Sequence, residues 1–224
     1  MIWTPSFFKC NINMRMDELQ KLWKLYNQRE FKKLIKKGKA VSAHKKGQDI
    51  ELFRILGTAH DQQALLEKDK TKKLKLQKKA IYYFKQILRS DLYRASAYRG
   101  LGLVALHQNR LKNSLDFYKK AYSLDKRDIS NFISLGNVYR AIGQYSRAFE
   151  WYKKCLVSKE ENIKLIALVN IAVMLGFQKK TLLAKKYALK ALKITHKHPQ
   201  DKWMENFKEK LESITLKRDG NGKF

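Results

Sequence analysis

The hydrophobic positions between Ile129 and Asn162 follow the spacing of two amphipathic helices. Counted from Ile129, the large apolar residues fall at positions 4, 7, 11, 17, 24 and 28, as Phe132, Leu135, Tyr139, Tyr145, Tyr152 and Leu156. Small residues fall at positions 8, 20 and 27, as Gly136, Ala148 and Cys155. Residues three and four apart share one helix face, so each half of the stretch has one apolar stripe. With Gly143 between the halves, the pattern predicts an antiparallel helical hairpin.

The same pattern occurs 34 residues earlier, which is the separation of Gly102 and Gly136. Neither helix of such a hairpin can bury its stripe alone, so each hairpin needs a neighbour. Both prolines, Pro5 and Pro199, flank the repeating region, and no long segment alternates like a strand. The sequence therefore predicts an all-α chain built as a stack of hairpins.

This 34-residue pattern of large and small residues resembles the tetratricopeptide repeat (TPR). The resemblance implies a right-handed α-solenoid of about five TPR-like helix–turn–helix hairpins, at residues 16–49, 50–94, 95–128, 129–162 and 165–198. These make up a repeat domain over residues 15–198, which follows an N-terminal segment at residues 1–14. Trp203, Phe207, Leu211 and Ile214 then predict a capping helix over residues 199–216, and residues 217–224 a frayed tail.

Three hairpins depart from the repeat pattern. In the first, Trp23 takes a small-residue position and Gly38 an aromatic one, which suggests an exchange of size between the two. In the second, Gly57 and Gly102 are 45 residues apart, 11 more than the period, and helix-forming residues dominate the extra segment within Asp61–Lys79. We therefore expect both helices of that hairpin to be lengthened. The fifth hairpin matches less well and starts two residues late.

In TPR proteins the first helices of successive hairpins line a concave groove, and the resemblance implies the same here. The positions that would face a bound partner include Arg54, Thr58, Arg99, Leu103, His107, Asn137, Arg140 and Asn170. Arginine can bind a carboxylate through two hydrogen bonds, so the groove predicts a protein or peptide partner of acidic character. The alternative is that these arginines are solvated and bind nothing. The residues of the carboxylate clamp in some chaperone-binding TPR modules do not occur at the matching positions.

The net charge of +29 arises from 49 basic and 20 acidic residues. An A/T-rich genome that favours lysine codons is one explanation, and a polyanionic partner is the other. Candidate polyanion contacts lie in the lengthened second hairpin and in the fifth, at Lys68, Lys70, Lys72, Lys73, Lys75, Lys78, Lys79, Lys179, Lys180, Lys185 and Lys186. A solvated helical tip is the first explanation for the lysines of the second hairpin, and contact with phosphates or an acidic protein is the alternative.

The sequence has no pattern typical of a catalytic, cofactor-binding or metal site, so we expect neither an enzyme nor a small-molecule substrate. His60 and Cys155 occupy core positions and are interpreted as packing residues. His196 and His198 have no nearby cysteine or acidic ligand and make a poor metal site.

No apolar run is long enough to cross a bilayer, and two cysteines give no disulfide framework. We therefore expect a cytoplasmic protein, although residues 1–14 contain no acid and leave an organelle-targeting role open. Two functional hypotheses remain. The favoured one is a non-enzymatic scaffold that binds a protein in the groove, and the alternative is a ribonucleoprotein component that contacts RNA phosphates through its lysines.

Overall fold

The computed structural model describes residues 16–44, 49–198 and 202–215. Within these ranges the chain is helical and contains no strand, which confirms the predicted all-α fold. The helices are α1 (Met16–Asn27), α2 (Phe31–His44), α3 (Ile50–Leu66), α4 (Lys70–Ile87), α5 (Arg94–His107), α6 (Leu111–Leu124), α7 (Ile129–Ala141), α8 (Tyr145–Cys155), α9 (Glu161–Phe177), α10 (Thr181–Lys197) and α11 (Lys202–Thr215). The predicted N-terminal segment and frayed tail lie outside the described residues.

The helices form two compact units, Met1–Lys126 and Arg127–Phe224. In the first unit, the hairpins α1/α2, α3/α4 and α5/α6 stack in chain order, with α2 on α3 and α4 on α5. In the second unit, the hairpins α7/α8 and α9/α10 stack through α8 and α9, and α11 packs on α9 and α10. Each unit thus has the side-by-side hairpin packing of an α-solenoid.

An aromatic ring packed on a bare glycine recurs in the core. The Tyr118 ring in α6 lies on Gly102 of α5, where an added Cβ would be 2.8 Å from the ring. The Tyr152 ring in α8 lies in the same way on Gly136 of α7, where an added Cβ would collide with it. Both rings are buried, so each hairpin fills with one side chain the space that the glycine leaves.

The hairpin α9/α10 packs differently, because alanines replace both the glycine and the ring. Ala172 in α9 and Ala188 in α10 are fully buried, and leucines surround them. Leu211 of α11 is fully buried in the same cluster, with Phe207 and Ile214 against it. The helix α11 lies within the range 199–216 given for the predicted capping helix and packs on this cluster through these three residues.

Four hairpins reverse direction through one residue with left-handed backbone geometry. These residues are Arg29, Asn109 and Lys179, each with φ 58°, and Gly143 with φ 85°. At each turn two consecutive backbone N–H groups bond back to the preceding helix; the Gln144 N–H, for example, donates to the Tyr139 carbonyl at 2.9 Å. This pairing is the Schellman motif, which satisfies carbonyls at a helix end.

The hairpin α3/α4 has a different connection. Glu67 and Asp69 are extended, and the Asp69 carboxylate caps α4 by accepting the Lys72 N–H at 2.9 Å. The two helices contain 17 and 18 residues, so both are longer than α5 and α6 of the next hairpin, which contain 14 each, while α9 and α10 contain 17 each.

Two expectations about individual positions need correction. The nearest atoms to a Cβ on Gly38 belong to Leu56 and Leu52 of α3, so this glycine makes room for the next hairpin rather than for Trp23. The helix α9 begins at Glu161, before the expected repeat start at 165, because the acidic Glu161 in its first turn suits a helix N-terminus. None of the described helices is long and apolar enough to cross a bilayer.

Candidate functional site

Arg54 of α3, the first predicted groove arginine, is already engaged within the chain. Its Nε donates to Glu51 Oε2 at 2.8 Å, and Nη2 donates to the other oxygen of the same carboxylate. The guanidinium lies 5.2 Å from the centre of the Trp23 ring in α1. The Arg54 carbonyl accepts the hydroxyl of Thr58 at 2.8 Å. Arg54 therefore links α1 to α3 and is held by a carboxylate of its own helix.

Arg99 and Leu103 lie on α5, the next first helix of this unit. Arg99 is only 7 % exposed, and Leu103 is half-buried. This limited exposure leaves little of the Arg99 side chain for a partner on the surface.

His107, at the end of α5, meets a buried carboxylate. Its Nδ1 donates to Asp61 Oδ2 of α3 at 2.7 Å, and Asp61 is fully buried. Nearby in sequence, Gln108 Nε2 donates to Gln77 Oε1 of α4 at 3.3 Å. These two bonds join the C-terminal end of α5 to α3 and α4. The sequence predicted His107 as a groove residue and did not pair it with Asp61.

Tyr26 of α1 lies in the electrostatic field of these groups. Burial of its hydroxyl, with the Asp61 carboxylate as a second cause, raises the pKa of Tyr26 to about 12, against a smaller lowering by Arg54 and Arg29. The phenol is therefore neutral at physiological pH and can donate a hydrogen bond.

In the second unit, Asn137 and Arg140 of α7 lie beside the hydroxyl of Tyr152. This hydroxyl donates to Asn137 Oδ1 at 2.7 Å. Burial raises the pKa of Tyr152 to about 12, an effect that the charge and hydrogen bond of Arg140 reduce. Arg140 Nε is buried and has no hydrogen-bond partner among the described residues. Asn170, on α9, is half-buried.

The predicted polyanion contacts are mostly exposed. The group on α3/α4 lies at and beyond the connection between the helices, with Lys73 half-buried and the others exposed: Lys68, Lys70, Lys72, Lys75, Lys78 and Lys79. In the second unit Lys179, Lys180 and Lys186 are exposed and Lys185 is half-buried. The two groups lie in different units.

His60 and Cys155, interpreted from the sequence as packing residues, are buried in the structure. His60 is 1 % exposed and its Nδ1 donates to the Leu56 carbonyl at 2.8 Å. Burial lowers the pKa of His60 to about 4 and raises that of Cys155 to about 12. His198 instead joins Lys197 on the Glu161 carboxylate, and hydrogen bonds from Lys197 and then His198 lower the pKa of that carboxyl.

The described part of the chain contains no cluster of three or more histidine, cysteine, aspartate or glutamate side chains that could hold a metal ion.

Family models for the tetratricopeptide repeat match residues 95–128 and 133–162. These matches cover the hairpins α5/α6 and α7/α8, where the sequence pattern is densest. No curated protein matches the chain.

Among solved structures, MamA is similar with a TM-score of 0.54 and 22% identity, over 84% of this chain and 99% of MamA. At this identity the likeness concerns the fold. YrrB, described as a TPR protein with an unusual peptide-binding site, has a TM-score of 0.49 and 15% identity, over 87% of this chain and 91% of YrrB.

Proposed function

This chain is a TPR-like helical repeat protein, and we propose that it is a non-enzymatic scaffold that binds a protein or peptide through the first helices of its hairpins. Repeats of this type typically bind other proteins, which supports the general role. The cysteine content supports a reducing, cytoplasmic setting.

The observation that carries the proposal is the donor set around Arg140 in α7. Tyr152 occupies the oxygen of the Asn137 amide, so the amide NH₂ points elsewhere as a donor. Arg140 Nε is buried and lacks a partner among the described residues. A buried donor without an acceptor costs about 1–3 kcal/mol, which a bound acceptor would recover. Both groups therefore suit a carboxylate or a backbone carbonyl of a partner.

The first unit contributes less to this proposal. Glu51 holds Arg54, and Asp61 holds His107, so both side chains already have carboxylate partners inside the chain. An acidic partner would have to compete with these carboxylates. We therefore assign the main partner contact to α7, with Asn170 of α9 at its edge.

The test is capture of partners from native lysate on the tagged full chain, at about 150 mM salt and with nuclease present. Arg140→Ala should reduce the amount of each discrete captured protein at least about tenfold, the value of one lost charged hydrogen bond. Arg110→Ala removes an exposed arginine from the start of α6 and serves as the control. Equal capture by wild type and Arg140→Ala would refute the role of this donor set.

A second candidate function is contact with RNA phosphates through the α3/α4 hairpin. Lys70, Lys72 and Lys73 occupy the first turn of α4, which contains no acid. The helix dipole disfavours cations there, so helix stability does not explain these lysines. The carboxylate of Asp69, which caps α4, offsets part of this cost.

Binding of fluorescent poly(U) at several salt concentrations tests this second candidate. Replacing Lys72, Lys73, Lys78 and Lys79 by glutamine should weaken binding and lower the salt slope by about 3, at about 0.7 per single-strand phosphate contact. The control replaces four exposed lysines of α2 with the same loss of charge: Lys32, Lys33, Lys36 and Lys37. Equal losses in both variants would indicate nonspecific attraction by the net charge.

A further inference from the structure

A cleft opens on the second unit between α8 and the turn from α9 to α10. Its volume is about 640 Å³. Met174 and Leu175 line it from α9 and are 1 % and 4 % exposed, so they form an apolar floor. Tyr145, Phe149 and Leu183 line its sides from α8 and α10. The cleft thus joins the second helices α8 and α10 over Met174 and Leu175 of α9, and none of the first-helix residues proposed above lines it.

Two of the lining residues, and two apolar residues near them in sequence, are exposed. Tyr145 and Leu183 are 36 % and 40 % exposed, and Phe177 and Leu182, close in sequence to the same turn, are 73 % and 71 % exposed. Exposed apolar patches on a folded chain commonly mark interaction sites. The floor and the sides would accept a bulky apolar side chain.

The lining of the cleft is also cationic, through Arg147, Lys154 and Lys180. Its one acid, Glu150, is paired with Lys153 at 3.0 Å. No carboxylate of the described residues pairs with Arg147, Lys154 or Lys180. Contacts hold two of these cations in place: Lys154 Nζ lies 4.0 Å from the centre of the Trp151 ring, and Arg147 donates to Gln144 at 2.9 Å. Cations positioned in this way lose less freedom when an anion binds.

We propose that this cleft docks an acidic segment of a partner protein. A bulky apolar side chain of the segment enters between Tyr145, Phe149 and Leu183, and its carboxylates meet Arg147, Lys154 and Lys180. The positive charge of the cleft favours an acidic partner segment over the other possible occupants, which are the two ends of this chain, a second copy of it and RNA. Residues 1–14 contain no acid and the stretch 217–224 is basic, while a second copy would bring its own net charge of +29. An RNA would use the cations but has no need of the apolar floor.

Selection from a phage-displayed library of random dodecapeptides tests the proposal on the full chain. The double variant Arg147→Glu/Leu183→Asp serves as the counter-target. Leu183 is exposed enough for the fold to tolerate the change, and thermal unfolding followed by circular dichroism verifies this. Peptides that prefer the wild type should combine Asp or Glu with Phe, Leu or Trp. A selection that returns no acidic peptide dependent on Arg147 and Leu183 overturns the proposal.

Individual selected peptides, labelled and followed by fluorescence anisotropy, then separate the two parts of the site. Leu183→Asp should weaken binding at least about tenfold, as expected for loss of a central contact. Leu189→Asp makes the same change on α10 at a residue 52 % exposed and outside the cleft lining, and should leave the affinity within about twofold of wild type. Glutamine versions of the peptides should bind more weakly at low salt. Equal binding of the acidic and glutamine versions, or loss of poly(U) rather than peptide binding in Arg147→Glu, overturns the acidic-segment assignment.

Discussion

The hairpins α7/α8 and α9/α10 build the same architecture from opposite distributions of volume. In α7/α8, one large ring at Tyr152 meets a glycine at Gly136. At the equivalent positions of α9/α10, Ala188 and Ala172 share the space equally. The hairpin α7/α8 fills its own interior with the Tyr152 ring. The hairpin α9/α10 depends instead on surrounding leucines and on Leu211 of α11. The repeat thus requires a summed volume at the helix crossing and tolerates different ways of dividing it.

The largest expected loss of stability comes from removing the Tyr152 ring. Tyr152→Ala should lower the free energy of unfolding by about 3–5 kcal/mol, because it leaves a cavity on Gly136 that backbone cannot fill. Ala188→Gly at the equivalent position should cost only about 1 kcal/mol, mainly from helix propensity. Urea denaturation followed by circular dichroism measures both. Tyr152→Phe removes only the hydroxyl and so measures the hydrogen bond to Asn137 apart from the packing of the ring. Equal costs for Tyr152→Ala and Ala188→Gly would contradict the comparison of the two hairpins.

The hairpin α3/α4 sharpens the comparison, because it keeps a ring packed on a glycine but places His60 where α7 has Tyr139. Burial lowers the pKa of His60 to about 4 in the folded chain, below its ordinary value of 6.5. The neutral form is favoured by folding, so this contribution is complete above pH 6.5 and is lost as pH falls from 6.5 to 4. The full loss is about 3 kcal/mol.

The difference in unfolding free energy between wild type and His60→Leu, measured at several pH values, isolates this contribution. The leucine variant cannot titrate at this position, so it should lose less stability than the wild type between pH 6.5 and 4. Parallel pH profiles for the two proteins would show that His60 does not carry the effect.

A methyl group added at the crossing should produce a smaller change. Gly136→Ala should destabilise by about 1–3 kcal/mol despite the better helix propensity of alanine, because the new Cβ meets the Tyr152 ring. The double variant Gly136→Ala/Tyr152→Ala recreates the division of volume seen in α9/α10. Its cost should be lower than the sum of the two single costs.

Gly176→Ala in α9 provides the control for this methyl group. A Cβ there would have no neighbour within 4 Å, so the variant should be more stable by up to about 1 kcal/mol. Destabilisation at Gly176 as large as at Gly136 would mean that backbone geometry, rather than contact with the ring, decides the outcome.

The smallest effect concerns Cys155, which takes a position held by Ala191 in α10 and Ala121 in α6. Cys155→Ala should cost about 1 kcal/mol, the centre of the distribution for point mutations. Burial raises the pKa of this thiol to about 12, so little thiolate forms at neutral pH. In a Cys10→Ser background, the thiol should react with Ellman's reagent only as fast as the chain unfolds. Immediate reaction in the folded state would place the thiol at the surface.

Sequence periodicity predicted which residues are packed, because burial of a residue in these hairpins depends mainly on the helix face on which it lies. The 34-residue spacing of Gly102 and Gly136 located both ring contacts, and the core positions of His60 and Cys155 followed from the same count. The excess of 11 residues before Gly102 likewise located the lengthened hairpin.

Groove contacts were less predictable, because they depend on which side chains meet across neighbouring helices. The sequence assigned Arg54 and His107 to a partner, whereas Glu51 and Asp61 bind them inside the chain. Glu51 and Asp61, the two acids of α3, were the available signal for these contacts inside the chain. The space beside Gly38 is filled by Leu52 and Leu56 of the next hairpin. The pattern within a single repeat contains no information about such contacts between hairpins.

The recurring left-handed turn makes the stability of this chain adjustable from its surface. Of the four residues that adopt it, only Gly143 lacks a side chain that opposes the geometry. A left-handed conformation costs an ordinary residue about 1–2 kcal/mol, and the extra chain entropy of glycine offsets about 0.5–1 kcal/mol of the relief. Arg29→Gly and Lys179→Gly would therefore strengthen one hairpin in each unit without touching a core contact. A protein engineer could tune the two units independently at these turns, and also reduce the positive charge by one at each.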